Sequence, residues 1–253
     1  MLAKEREIYI LSRLNTQPMI SVKDLCREMN VSKSTVQRDL SKLEKQGKIN
    51  REYGGAVQVN IKETISDLTE GPVLEKLNIN VDKKAIIAEF ASKEIKDGDL
   101  VFIDSGTTSL QLIPFLINRK IKIVTYSYIF LAKMGQLDTD IYMLGGKYNR
   151  KHEICYGTST IEQLKDFRFD KAFITANGAD CNLKEVYTSE IDVGNIKKAA
   201  MKRSKKSYLL IDDSKFNITG LSTFAYFNEF EKIFTNSLPD NSKKHKNIVI
   251  TKK

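Results

Sequence analysis

The chain is 253 residues long and carries 41 Lys and Arg against 32 Asp and Glu, a formal charge of +9. That length suits a small domain joined to a medium one able to bury a real core. Three scattered cysteines (Cys26, Cys155, Cys181) and two histidines (His152, His245) exclude a disulfide framework and a zinc site, and no apolar run approaches the ~20 residues that cross a bilayer.

The opening MLAKEREIYI reads as an amphipathic helix start rather than a secretory leader, so a cytoplasmic, reduced protein with no membrane partner is expected. A first helix is predicted from about Ala3 to Leu14, with Ile8, Leu11 and Leu14 inward. Val22, Leu25, Met29 and Val31 then fit one face of a second helix and a turn. Ser32 is a good N-cap for a third helix, because its hydroxyl can accept an orphan backbone N–H. In that helix Val36, Leu40 and Leu43 face inward. The other face carries Ser32, Lys33, Ser34, Thr35, Gln37, Arg38, Ser41 and Lys42, residue types that meet phosphates and base edges in a major groove. Gly47 ends the helix, and Lys48 to Arg51 lead to Gly54-Gly55, a turn that shapes a small basic wing. A solvated helical hairpin would explain one polar face alone. The coincidence of spacing, face and wing favours DNA. Residues 1–60 hold 11 basic against 7 acidic side chains, so this segment is enriched in positive charge.

The stretch VSKSTVQRDLSKLEKQGKINREYGGA resembles the N-terminal signature of the DeoR family of bacterial transcription regulators, matching at Val31, Ser32, Thr35, Val36, Arg38, Asp39, Leu40, Leu43, Gly47, Ile49, Arg51, Gly54, Gly55 and Ala56. It departs at Gln37, where the family usually has Arg. The resemblance implies a winged helix-turn-helix over residues 1–58, with Ser32, Lys33, Ser34, Thr35, Gln37, Arg38, Lys42, Arg51, Gly54 and Gly55 toward double-stranded operator DNA.

Residues 59–76, with Gly71-Pro72 and no sustained periodicity, read as a linker. From Leu77 to residue 238 the pattern changes. A helix with Ile86, Ile87, Phe90 and Ile95 available to a core closes at Gly98. Candidate strands follow at Leu100–Asp104, Lys122–Thr125, Ile141–Leu144, Lys171–Thr175, Tyr208–Asp212 and Lys232–Thr235. Helical stretches lie between them at Thr108–Asn118, Ile129–Gln136, Ser159–Lys165 and Glu190–Ser204. The alternation predicts an α/β domain with a mostly parallel sheet and helices on both faces. Residues 239–253 hold Lys243, Lys244, Lys246, Lys252 and Lys253 and read as a disordered basic tail.

Polar clusters follow five of the strands: Asp104-Ser105-Gly106-Thr107-Thr108, Thr125-Tyr126-Ser127, Gly145-Gly146-Lys147, Asn177-Gly178-Ala179-Asp180 and Asp212-Asp213-Ser214-Lys215. In open α/β sheets the ligand crevice lies beyond the carboxyl ends of the strands, so the five are expected to converge. Any one of them alone could be a plain turn or cap. Ser105 to Thr108 offer backbone N–H groups, hydroxyls and a glycine, a cradle for phosphate. Lys197 and Lys215 add positive charge, and Asp104, Asp180 and Asp212 can accept sugar hydroxyls.

DSGTT, LGGKY, NGAD, IKKAAM and LLIDDSKF resemble the DeoR-family sensor domain, which is similar in fold to sugar-phosphate isomerases. The resemblance implies a phosphorylated sugar effector and no cofactor. It implies a phosphate loop at Ser105, Gly106, Thr107 and Thr108, with walls at Thr125, Ser127, Gly145, Gly146, Gly178, Asp180, Lys197, Asp212 and Lys215. The chain departs from the family at Tyr126 (often Asn), at Val193 (often Glu) and in lacking a glycine near Asn182-Leu183. The expected function is a transcriptional repressor of a sugar operon, acting as a homo-oligomer, dimer or tetramer, because such proteins pair half-sites. The alternative is a phosphosugar isomerase with a DNA-binding appendage, using Asp180 or Asp212 as base and Lys197 or Lys215 to stabilise an enediolate. A purely architectural DNA binder would leave the SGTT cluster without purpose.

Overall fold

The computed structural model describes residues 3–16, 19–45, 49–52, 55–58, 65, 70–135, 139–216, 218–239, 242 and 245–252. Expectations for Gly47, Lys48, Gly54, Gln136, Lys243, Lys244 and Lys253 lie outside these residues. The chain divides into two compact units, Met1–Lys62 and Glu63–Lys253.

The first unit runs α1 (Ala3–Thr16), β1 (Met19–Ser21), α2 (Val22–Met29), α3 (Lys33–Lys45), β2 (Ile49–Glu52) and β3 (Gly55–Gln58). The Ser21 hydroxyl accepts the Asp24 N–H at 3.0 Å and starts α2, and Asn30 ends it in the left-handed region at φ 52°. Ser32 accepts the Thr35 N–H at 3.3 Å at the head of α3, as its sequence position suggested. Ile10, Leu14, Leu25, Val36, Leu40, Leu43 and Ile49 bury together as the core. Ile8, expected inward, is 59% exposed. Ile10 and Leu14 set the phase of α1, and stepping back one turn from Ile10 puts Glu7 on the buried stripe instead.

The wing has three strands, in the order β1-β3-β2, all antiparallel. Sequence reading missed β1, which is only three residues long. Gly55 was expected to face DNA, but it is buried where β3 crosses β1. A Cβ there would lie 2.3 Å from the Ile20 carbonyl oxygen, so glycine is required by close backbone approach.

The first described residue of the second unit is Ile65, whose N–H donates to the Thr219 carbonyl and whose carbonyl accepts the Leu221 N–H, both at 2.8 Å. Its elements are α4 (Val73–Lys76), α5 (Val81–Ser92), β4 (Leu100–Ile103), α6 (Thr107–Leu110), α7 (Ile113–Leu116), β5 (Lys122–Thr125), α8 (Tyr128–Lys133), β6 (Asp140–Met143), β7 (Lys147–Asn149), β8 (Ile154–Tyr156), α9 (Thr158–Leu164), β9 (Phe169–Thr175), β10 (Gly178–Asp180), β11 (Glu185–Thr188), α10 (Ile191–Lys202), β12 (Ser204–Leu210), β13 (Ser222–Tyr226), β14 (Lys232–Thr235) and β15 (Ile248–Ile250).

Seven strands form one parallel sheet in the order β15-β14-β12-β9-β4-β5-β6. Alternate residues serve opposite faces. Val101 and Ile103 enter one buried cluster while Phe102 enters another, and Tyr208 and Leu210 oppose Leu209 in the same way. Both faces are therefore covered, which explains why these strands read as continuous apolar runs. A second sheet, β10-β11-β13, is antiparallel, and β7 and β8 form a hairpin.

Three expectations need correction. The segment 59–76 is not a linker throughout: from Ile65, and again over residues 70–76, it belongs to the second unit. Pro72 does not break a helix but precedes α4, where its missing N–H costs nothing. Thr108–Asn118 is not one helix: Pro114, in the first turn of α7, has no N–H to give the Leu110 carbonyl, and the stretch divides into two short helices, α6 and α7. The tail is not wholly disordered. β15 extends the sheet beside β14, and the Asn247 amide donates to the Phe227 and Phe230 carbonyls at 2.6 and 2.8 Å. No helix among the described residues is long and apolar enough to cross a membrane.

Candidate functional site

In the first unit α3 presents two faces with separate duties. Val36, Leu40 and Leu43 are fully buried, which turns Ser32, Lys33, Ser34, Gln37 and Arg38 to solvent, with Thr35 partly covered. The Ser32 hydroxyl lies 2.9 Å from both the Ser34 and Thr35 hydroxyls. Among the described residues, Lys33 and Arg38 have no ion-pair partner, so their charges are available to an external anion. Lys42 was expected to be equally available, but its Nζ is 2.6 Å from the buried Glu7 carboxylate. Arg51 donates to the Ser41 hydroxyl at 3.0 Å, placing a wing cation beside α3.

Asp39, next to Arg38, points the other way. Arg6 grips its carboxylate through two nitrogens, at 2.6 and 3.2 Å, and so ties α1 to α3. Asp39→Ala is expected to destabilise the unit by removing the carboxylate through which Arg6 ties α1 to α3. Urea denaturation should register that loss, and an unchanged midpoint would contradict the tie.

In the second unit the cavity opens where chain direction along the sheet reverses, between β4 and β9. Counted with the solvent space at its mouth it is about 730 Å³. Ser105, Gly106, Thr107 and Thr108 line one wall, and the first turn of α6 leaves N–H groups for an acceptor. A Cβ on Gly106 would lie 2.1 Å from the Thr175 hydroxyl, so this loop can sit against β9 only with glycine. Lys84, Lys215, Lys197 and Asp212 also line the cavity. Asp212 accepts the Ser214 N–H and the Asn80 amide, both at 3.1 Å, and lies beside Lys84. Burial pushes the Lys84 ammonium down, and the nearby Asp212 carboxylate opposes that shift.

Asp104 forms the floor rather than a sugar contact. It is fully buried, with Lys197 Nζ at 3.0 Å and the Thr175 N–H donating at 2.8 Å. The Tyr126 hydroxyl also donates to it and accepts from Ser105. Burial works against the Asp104 charge, yet Lys197 and these donors outweigh it and hold the carboxyl below its ordinary value. Burial, reinforced by Asp104, drives the Tyr126 phenol well above its ordinary value, so it remains a donor. Tyr126, a departure from the family pattern, is thus absorbed into the floor. Lys197 is committed to Asp104, to the Thr175 carbonyl at 2.8 Å and to the Phe224 ring at 5.3 Å.

Six of the expected wall residues do not line the cavity. The Thr125 hydroxyl donates to the Ile103 carbonyl at 2.7 Å, and Ser127 caps α8 through the Phe130 N–H. The Gly145 N–H donates to Gln163, and a Cβ on Gly146 would lie 2.3 Å from the Thr160 hydroxyl. Gly178 packs on the Ile218 carbonyl, and Asp180 accepts the Asn182 and Leu183 N–H groups in the β10–β11 turn. For Thr125, Ser127, Gly145 and Gly146 the reason is strand order: the clusters after β4, β9 and β12 come from adjacent central strands, whereas β5 and β6 lie out toward one edge. Gly178 and Asp180 follow β9 but are drawn away into β10, which pairs with β11. Asp180 is thereby also removed as a candidate isomerase base.

Sequence reading missed Glu70, Lys76, Lys84, His152 and Ser189, all of which line the cavity, and of the cluster after β9 it is Asn177 that does so. Lys84 did leave a signal, since it shares a stripe with Ile87, Ala88 and Ala91 on α5 and a cation on a buried stripe needs an explanation. His152 Nε2 lies 2.9 Å from Glu190, an approach that misses hydrogen-bond alignment.

Comparison with known proteins matches residues 6–62 to the DeoR-like helix-turn-helix domain and residues 79–237 to the DeoR C terminal sensor domain. An uncharacterized HTH-type transcriptional regulator FruR of Bacillus subtilis is 32% identical over 89% of this chain and 88% of its own. The lactose phosphotransferase system repressor of Lactococcus lactis is 34% identical over 85% of this chain and 83% of its own. Among solved structures, ribose 5-phosphate isomerase A of Methanocaldococcus jannaschii aligns at 18% identity over 54% of this chain and 55% of its own, with a TM-score of 0.41.

Proposed function

The chain belongs to the DeoR family of transcriptional regulators, and we propose that it is a repressor of a sugar-utilisation operon whose grip on operator DNA answers to a phosphorylated sugar. The observation that carries the effector half is the gathering of Ser105–Thr108, Lys84 and Lys215 around one cavity. A phosphate there would take hydrogen bonds from the loop and give the desolvated Lys84 ammonium a counter-charge. The operator half rests on the exposed Lys33, Ser34, Gln37 and Arg38 of α3, with Arg51 alongside. The lactose repressor named above is a precedent among relatives for control of a sugar system.

The protein acts as a homo-oligomer, dimer or tetramer, because one recognition helix reads only a half-site. The switch requires the sugar phosphate to prefer one of the DNA-competent and DNA-incompetent states, and a coupling of ~1–3 kcal/mol suffices. Fluorescence anisotropy with DNA from upstream of the neighbouring operon, titrated with a panel of sugar phosphates, tests both halves. Release by one compound supports the reading; specific DNA binding that no sugar phosphate alters refutes the effector half.

Two variants sharpen it. Thr107→Val should leave DNA binding intact and abolish the response, because a methyl replaces a hydroxyl in the phosphate loop. Lys84→Met should weaken sugar-phosphate binding by about tenfold or more, the worth of a hydrogen bond to a charged group. Calorimetric titration measures the second directly.

A further inference from the structure

Three donors in the cavity converge on one carboxylate, and that carboxylate belongs to the chain itself. Lys76 Nζ, the Asn177 amide and the Ser189 hydroxyl all donate to Glu70. They come from α4, the loop after β9 and the residue after β11, so three separate pieces of backbone aim at the same spot. The Ser189 N–H donates to the Asn177 side-chain oxygen Oδ1 at 3.1 Å, which turns the Asn177 amide nitrogen toward Glu70. The Glu70 side chain is 7% exposed. Burial opposes its charge, but Lys76 and Ser189 hold the carboxyl below its ordinary value.

We propose that Lys76, Asn177 and Ser189 form a second anion subsite of the effector cavity, filled by Glu70 until a ligand arrives, and that the ligand is a phosphorylated sugar acid whose carboxylate takes Glu70's place. The inference rests on the phosphosugar reading above and adds a second charged group to it. Charge decides between a carboxylate and a neutral sugar end. Lys76 is largely desolvated, and burial lowers its pKa, a shift that Glu70 offsets only in part. A neutral group displacing Glu70 would leave that ammonium without a counter-ion, which low-dielectric surroundings penalise. A carboxylate exchanges one-for-one and keeps all three donors occupied. A neutral end seated beside Glu70 would meet a carboxylate that already accepts three hydrogen bonds. Glu190 on the same wall remains to accept hydroxyls.

The test is calorimetric titration of the full chain with matched pairs: glycerate 3-phosphate against glyceraldehyde 3-phosphate, erythronate 4-phosphate against erythrose 4-phosphate, and gluconate 6-phosphate against glucose 6-phosphate. In the pair of fitting length the acid should bind at least about tenfold tighter, as a hydrogen-bonded charge pair warrants. Glu70→Gln should tighten the acid further by weakening the internal competitor. Lys76→Gln should erase the preference of the acid over its aldehyde partner. Equal affinities, a preference for the aldehyde, or a preference that survives Lys76→Gln overturns the second subsite and leaves the phosphosugar reading standing. Failure of every compound to bind the unmodified protein overturns both. The pairwise comparison needs no variant, so a folding defect in either substitution does not blunt it.

Discussion

Arg38→Ala is expected to weaken operator binding by about 10- to 100-fold, the ~1–3 kcal/mol carried by a good side-chain contact to a base edge. The residue sits on the exposed face of α3, and the opposite face of that helix is the core of the unit. Its neighbour Asp39 does the structural work by holding Arg6. Removing the Arg38 guanidinium therefore takes away a reader without disturbing the scaffold, and the melting temperature should not move. Sugar-phosphate affinity should also stay, because the cavity is built wholly from residues of the second unit. Anisotropy at several salt concentrations separates two versions of the role. A base contact lowers affinity for operator more than for random DNA, whereas a phosphate contact lowers both and reduces the salt slope by about one. Unchanged operator affinity would remove α3 from the interface.

Asp104→Asn is expected to destabilise the protein by about 3–5 kcal/mol, because it leaves the Lys197 ammonium buried without its counter-ion. The side chains of both residues are almost wholly enclosed, at 0% and 4% exposure, so water cannot make good the loss. The carboxamide oxygen can still accept from the Thr175 N–H, but its NH2 cannot accept from the Tyr126 hydroxyl, so the substitution removes the charge together with that one hydrogen bond. The pH dependence follows from the depressed Asp104 pKa. The folded state binds its proton less readily than the unfolded chain, so the stabilisation is complete above the unfolded value near ~4 and is lost as pH falls through the folded one. Urea denaturation of the unmodified protein should show that acid loss, and the variant should lack its share of it while being weaker at pH 7. A variant as stable as the original at pH 7 would contradict the Asp104–Lys197 ion pair as a support of the cavity floor.

The two domains differ in how much of them was legible. The DNA-binding unit is short-range structure. Ser32 caps the helix that follows it, and Val36, Leu40 and Leu43 mark its buried face by spacing alone. From these the exposed reading face follows directly. What escaped were interactions between distant elements: Lys42 turned to Glu7 instead of solvent, and Gly55 placed by contact with Ile20 rather than by a ligand.

In the sensor unit the strands and the polar clusters after them could be read from apolar runs and turn residues, because both are local chemistry. Which clusters meet could not. The sheet places β9 between β4 and β12, and that order arises from crossover connections that leave no periodic trace in the chain. It brings Ser105–Thr108, Asn177 and Asp212–Lys215 together, and it leaves Thr125, Ser127, Gly145 and Gly146 to cap helices and close turns. Glu70 and Lys76 were invisible for a related reason. A charged residue beside Gly71-Pro72 looks like a solvated loop until folding buries it against partners more than a hundred residues away. The sequence by itself determined the family, the exposed face of α3 and the Ser105–Thr108 loop, since each is written in consecutive residues. Only the tertiary structure decided the walls of the cavity and what occupies it, because those depend on strand order and on charges that find their partners after the chain has closed.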